Sequence, residues 1–108
     1  MTNLSKKRCT PYQGGIPPLK DKEIKQHLAK IDDWQVIDLH HLLKIFLFKD
    51  FKSALAFVNR VGEISEEENH HPNINFTWGK VEISIWTHKI DGLHENDFIL
   101  AAKIDRLL

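Results

Sequence analysis

Four residues could carry acid–base chemistry in this chain: His70 and His71 side by side, His88, and Asp97. Imidazole gives and takes protons near neutral pH without a large shift of its own. Pro72 forbids further helix and biases His71 toward extended geometry. Asp97 is expected in the first turn of the last helix, where the helix dipole favours a negative charge. If it accepts a hydrogen bond from His88, it would fix that ring's tautomer. Three imidazoles and a carboxylate also suit zinc. Adjacent His70 and His71 point apart in an extended segment, however, so no metal is expected. Spacing alone favours plainer roles: a solvated loop for the His-His pair, a strand-end hydrogen bond for His88, a helix-start residue in Asp97. His27, His40, His41 and His94 read as surface or capping residues.

Other chemistries find no support. No Gly-rich loop runs into a Lys-Ser or Lys-Thr, so there is no phosphate cradle of the Walker type. Cys9 has no histidine nearby in sequence and is expected to be non-catalytic. Trp78 and Trp86 could stack on a flat ring, but Trp78 falls on an apolar face and is expected in the core.

The elements that must position these residues follow from periodicity. Ile24, Leu28 and Ile31 form one stripe of a short helix, with Asp21 as its expected N-cap. Residues 34–39 and 42–48 read as two strands joined near His40-His41. Asp50 caps a long helix whose apolar side is expected to hold Phe51, Ala54, Leu55, Val58 and Val61, widened by Phe57 and Ile64. Glu66-Glu67-Glu68 end it on a like-charged turn that is loose unless something basic answers it. Ile74, Phe76 and Trp78 alternate with polar residues in a third strand, and Val81, Ile83 and Ile85 do so in a fourth, with Gly79-Lys80 as the turn. A last helix carries Phe98, Ala101, Ala102 and Leu108, flanked by Ile104 and Leu107. The order α-β-β-α-β-β-α predicts an α+β fold, a four-stranded antiparallel sheet with helices packed on one face. Residues 21–108 read as a single domain, and residues 1–20, broken by prolines and glycines, as an irregular N-terminal arm.

Composition sets the outer limits. The 108 residues are 42% hydrophobic and 28% charged, enough for one core and unlike a disordered tail. Fifteen basic and fifteen acidic residues cancel, so no overall field draws nucleic acid or anionic lipid. Lys6, Lys7 and Arg8 form the one evident basic patch. The lone cysteine excludes an intrachain disulfide. The N-terminus lacks the apolar stretch of a secretory signal, and no apolar run approaches a membrane span. A cytoplasmic protein is the expectation, with no membrane or nucleic-acid partner.

Glu66, His70-His71-Pro72, Trp78, His88 and Asp97, in this order and spacing, resemble the signature of the pterin-4a-carbinolamine dehydratases. Residues 46–51, Thr87-His88, Gly92-Leu93 and Asp97-Phe98 are similar to that family's junctions, and residues 9–19 look like the lead-in of many bacterial members. His94 stands where members usually place Ser or Thr as the last helix cap, and Asn69 where some carry Asp. The resemblance implies dehydration of a 4a-hydroxytetrahydropterin to quinonoid dihydropterin, recycling the cofactor of aromatic amino-acid hydroxylases. It implies His70 and His88 as the acid/base pair, His71 placing the ring, Asp97 orienting His88, and Glu66, Pro72 and Trp78 binding substrate. No further cofactor or metal is implied. A homodimer or homotetramer is implied, as is a functional link to a hydroxylase. The alternative from the same resemblance is a non-enzymatic dimerisation adaptor of a transcription factor, or a factor devoted to another pterin or to assembly of a carbon-fixing enzyme.

Overall fold

The computed structural model describes residues 4–11 and 16–108. Three α-helices, α1 (Asp21–Leu28), α2 (Phe51–Glu68) and α3 (Glu95–Asp105), accompany four strands, β1 (Gln35–Ile37), β2 (His41–Leu47), β3 (Asn73–Thr77) and β4 (Lys80–Ile85). The sheet runs β1-β2-β4-β3 with every neighbour antiparallel. Alternation in β2 and β4 sends Leu42, Phe46, Val81, Ile83 and Ile85 to the helix-covered face, where each is buried. Ile45 and Leu47, on the other face, are exposed. The expected α+β architecture and element order are therefore those observed.

Several local details differ, each for a physical reason. The seam of α2 runs along Ala54, Phe57, Val61, Ser65 and Glu68, all buried, while Phe51 and Leu55 lie exposed on the flank. Phe51 instead stacks on Phe76, with ring centroids 5.6 Å apart. Helix α3 has no single stripe: Phe98, Ile99, Leu100, Ala101 and Ile104 are all buried because it is enclosed by α1, α2 and the N-terminal segment. Leu108 lies beyond its end and is exposed. Lys20, not Asp21, is the N-cap of α1, its N–H donating to Glu23 Oε1 at 3.0 Å. Asp50 caps α2 as expected, accepting from the Ser53 N–H at 2.8 Å.

The β3–β4 turn consists of Trp78 and Gly79, since Thr77 already pairs with Lys80. Gly79 takes a φ of +73°, and a Cβ there would lie 2.9 Å from the Phe48 carbonyl oxygen. Both constraints favour glycine. At the turn, Trp78 is 66% exposed, which corrects its expected place in the core.

The N-terminal segment lies across the domain. Leu4–Lys6 forms a turn of 3-10 helix whose Leu4 is buried against α3. Farther along, the Leu19 N–H donates to the Leu93 carbonyl at 2.8 Å, and Pro18 packs where a Cβ on Gly92 would come within 2.7 Å of it. Residues 1–3 and 12–15 of the expected arm are outside the described residues.

Candidate active site

The C-terminus of α2 sets one side of the site. Asn69 adopts the left-handed conformation, φ 51° and ψ 42°, that ends a helix and turns the chain outward. His70 and His71 follow, before Pro72 opens β3. The glutamate run is answered in two ways. Glu66 is paired with His71 through Oε2 and Nε2. Glu68 is 8% exposed and accepts from the Cys9 N–H at 2.7 Å, with Lys103 at 3.6 Å and Arg8 at 3.7 Å. Burial alone would raise the Glu68 carboxyl, but that hydrogen bond and the Lys103 and Arg8 charges outweigh it and hold the group below the usual carboxylate range.

The start of α3 sets another side. His94 is its N-cap, Nδ1 accepting from the Asn96 N–H at 3.1 Å, so histidine replaces the hydroxyl cap without leaving the position empty. Asp97 is fully buried and accepts three hydrogen bonds: His94 N–H at 2.9 Å, Thr87 Oγ1 at 2.9 Å and His70 Nε2 at 2.6 Å. The carboxylate therefore orients His70, not His88 as the sequence suggested. The reason is topological: Asn69 turns the end of α2 toward the N-terminus of α3, while residues 88–90 wind into a 3-10 turn. With Nε2 engaged, Nδ1 is the His70 ring nitrogen not bonded to that carboxylate.

His88 begins that turn and lies exposed, its ring stacked on Trp86 at 4.3 Å and 15°. Behind Trp86 stand His40 and His41, with centroids 5.4 Å and 5.7 Å from it. Their Nδ1 atoms are 3.0 Å apart, and His40 Nε2 meets Asp91 at 2.7 Å. Burial first, then the neighbouring His40, lowers His41 below the ordinary histidine range. Read from the sequence as surface or capping residues, His40 and His41 are half-buried against Trp86. They share one aromatic cluster with His88.

These segments enclose a cleft of roughly 700 Å³. His70 and His71 line it from the end of α2, and Trp86, Thr87 and His88 from the segment after β4. Asn96 and residues 9–11 line it as well, as do Glu67, Glu68, Asn69 and Lys89. Asp97 stands behind His70, and Glu66 reaches the cleft through His71. Two expected binding residues lie elsewhere. Pro72 borders a shallower hollow beside β3 and β4, and Trp78 sits at the far end of β3. Trp86, not Trp78, is the indole in the cleft. Cys9 also lines it, but burial, then the Glu68 charge, pushes its thiol up to about 12, so it is no thiolate at neutral pH. Among the described residues, no three His, Cys, Asp or Glu side chains are grouped to hold a metal ion.

Comparison with known proteins shows the family. The family model described as pterin 4 alpha carbinolamine dehydratase matches residues 17–107. The chain therefore belongs to the pterin-4a-carbinolamine dehydratase family. A protein of Rubrobacter xylanophilus is 54% identical over 107 residues, spanning 99% of this chain and all of that protein. One of Rickettsia canadensis is 55% identical over 106 residues, spanning 97% of each. Both bear the name "Putative pterin-4-alpha-carbinolamine dehydratase". Among solved structures, a transcriptional coactivator/pterin dehydratase from Brucella melitensis superposes with a TM-score of 0.79 at 28% identity, over 83% of this chain and 97% of that one. A pterin dehydratase-like protein identified as a RuBisCO assembly factor in the alpha-carboxysome gives 0.60 at 30% identity, over 68% and 87%.

Proposed function

We propose that this protein dehydrates 4a-hydroxytetrahydropterins to quinonoid dihydropterins by histidine general acid–base catalysis. The observation that carries the reading is the convergence of His70, His71 and His88 on one cleft, with His70 held by a fully buried carboxylate. In the reaction, the C4a–O bond breaks and the hydroxyl leaves as water with a proton from an imidazolium. The N5 proton passes to a neutral imidazole, and the C4a=N5 bond forms. Hydroxide is a poor leaving group, which is why a positioned donor matters. Electrons and oxidation level balance without a metal or nicotinamide.

His70 and His88 form the acid/base pair in this reading. Asp97 lies beside the positive charge that His70 acquires when protonated. His71, tied to Glu66, guides the ring at the mouth, while Pro72 and Trp78, outside the cleft, take no part in this reading. An aromatic amino-acid hydroxylase in the cytoplasm would supply the hydroxypterin. The two free sheet edges, β1 and β3, would be contact surfaces of a homodimer or homotetramer.

The test is dehydration of freshly generated 4a-hydroxytetrahydrobiopterin. His70→Ala and His88→Ala should each lower turnover by about two orders of magnitude or more, and the exposed Lys22→Ala should match the parent. A second reading, a non-enzymatic adaptor, draws on the names of the Brucella and carboxysome relatives. An intact His70–Asp97 pair favours the enzyme, and absence of turnover in the parent would favour the adaptor.

A further inference from the structure

Residues 9–11 precede the segment matched by the family model, yet they line the cleft. Their attachment is specific. Asn96 Oδ1 accepts from the Thr10 N–H at 2.9 Å, while Asn96 Nδ2 donates to the Thr10 carbonyl at 2.7 Å. One side-chain amide thus pairs with both backbone groups of Thr10, as a neighbouring strand would. The Cys9 N–H is held by Glu68 at 2.7 Å, and the Cys9 thiol reaches the Asn96 carbonyl at 3.5 Å. Upstream, Lys103 Nζ donates to the Ser5 carbonyl at 3.0 Å, and Lys7 pairs with Glu95 at 3.0 Å.

Asn96 and Glu68 are 5% and 8% exposed. Buried polar side chains are costly unless their hydrogen bonds are made, and these two make theirs to the arm. Each also adjoins the catalytic machinery of the proposed function: Asn96 precedes Asp97 on α3, and Glu68 lies two residues before His70. The two helix ends that place the histidine therefore also place the arm. With its backbone held by Asn96, Thr10 lines the cleft together with Cys9 and Pro11. These three residues bear no charge of their own and suit contact with a neutral flat ring, while Glu67, Glu68 and Lys89 supply the charges of the same cleft.

Resting on the pterin reading above, we infer that residues 9–11 are a substrate-binding wall of the cleft and that Asn96 and Glu68 are positioning residues that hold it there. The wall touches no proton in transfer. It therefore contributes binding common to ground and transition states, and its loss should raise KM while leaving kcat nearly unchanged.

Cys9 is the only cysteine in the chain, so its alkylation reports the arm directly. Asn96→Ala removes both bonds to Thr10. Thr10→Pro removes one of them and leaves α3 untouched, which separates arm release from damage to the Asp97 helix. In both full-length variants, iodoacetamide should label Cys9 about tenfold faster or more, as expected for the loss of one or two hydrogen bonds. The Kd for 7,8-dihydrobiopterin and the KM for the hydroxypterin should rise by about the same factor, with kcat within about threefold. In the parent, dihydrobiopterin should slow the labelling.

Rapid labelling with unchanged Kd and KM would overturn the wall. Unchanged labelling in both variants would overturn the clamp. A parent that neither binds dihydrobiopterin nor dehydrates its hydroxylated relative would remove the pterin reading and this inference together. A parent that does both, beside variants of unaltered affinity, would remove the inference alone.

Discussion

Asp97 Oδ1 and His70 Nε2 lie 2.6 Å apart, joining the first turn of α3 to the residue just past the end of α2. That bond fixes which His70 nitrogen stays available. Asp97→Ala would leave His70, Thr87 and the His94 N–H without their buried acceptor, at a cost of about 1–3 kcal/mol. Asp97→Asn keeps the shape but introduces a donor where only acceptance fits. Both should lower kcat by roughly a hundredfold, measured beside urea unfolding. Lost stability with full kcat would reduce Asp97 to a structural role.

Asn69 directs His70 toward that carboxylate by its left-handed conformation. Asn69→Gly should be nearly neutral in stability, whereas Asn69→Val should cost about 1–2 kcal/mol because a β-branched side chain resists positive φ. Chemical denaturation of the three proteins gives the comparison. A valine variant as stable as the glycine variant would contradict the backbone argument.

Trp86 and Trp78 should separate cleanly by fluorescence. Trp86 is in the cleft and Trp78 in the β3–β4 turn. Binding of a pterin should quench intrinsic emission in the parent and in Trp78→Phe. The response should shrink in Trp86→Phe. Equal quenching in both variants would place the ligand elsewhere.

Glu68 sets an acid limit on the arm. Its folded pKa lies below its unfolded value, so its stabilising contribution is complete above the unfolded value, near 4.5. That contribution fades as pH falls through the lowered folded value. Acidification from pH 6 to well below the unfolded value should therefore weaken arm attachment in the parent. Glu68→Gln should abolish that pH dependence. Backbone hydrogen exchange at Cys9, corrected for its intrinsic pH dependence, provides the measurement.

Much of this arrangement was readable from the residues. Two-residue alternation in β4 and the long apolar period of α2 declared their elements because each buries one face. The triple glutamate also announced that something basic must meet it. What could not be read were the relations that depend on how elements dock. Asp97 is nine residues from His88 and twenty-seven from His70 in sequence, so chain proximity pointed to the wrong ring. The apolar period of α2 predicts a stripe wider than the buried seam, because Phe51 finds Phe76 at the flank instead of the core. Trp86 announced itself only as a possible stacking ring, since its neighbours His40 and His41 come from another hairpin. Arm attachment had no periodic signal at all: it runs through single bonds from Asn96 and Glu68.

Leu4, buried against α3, joins segments that lie on opposite sides of the whole sheet in sequence. During synthesis, Leu4–Lys6 must wait, without its partner, until α3 has cleared the ribosome. A truncation before Lys103 would forfeit the docking of Leu4–Lys6 along with part of α3, although all four strands would already be made.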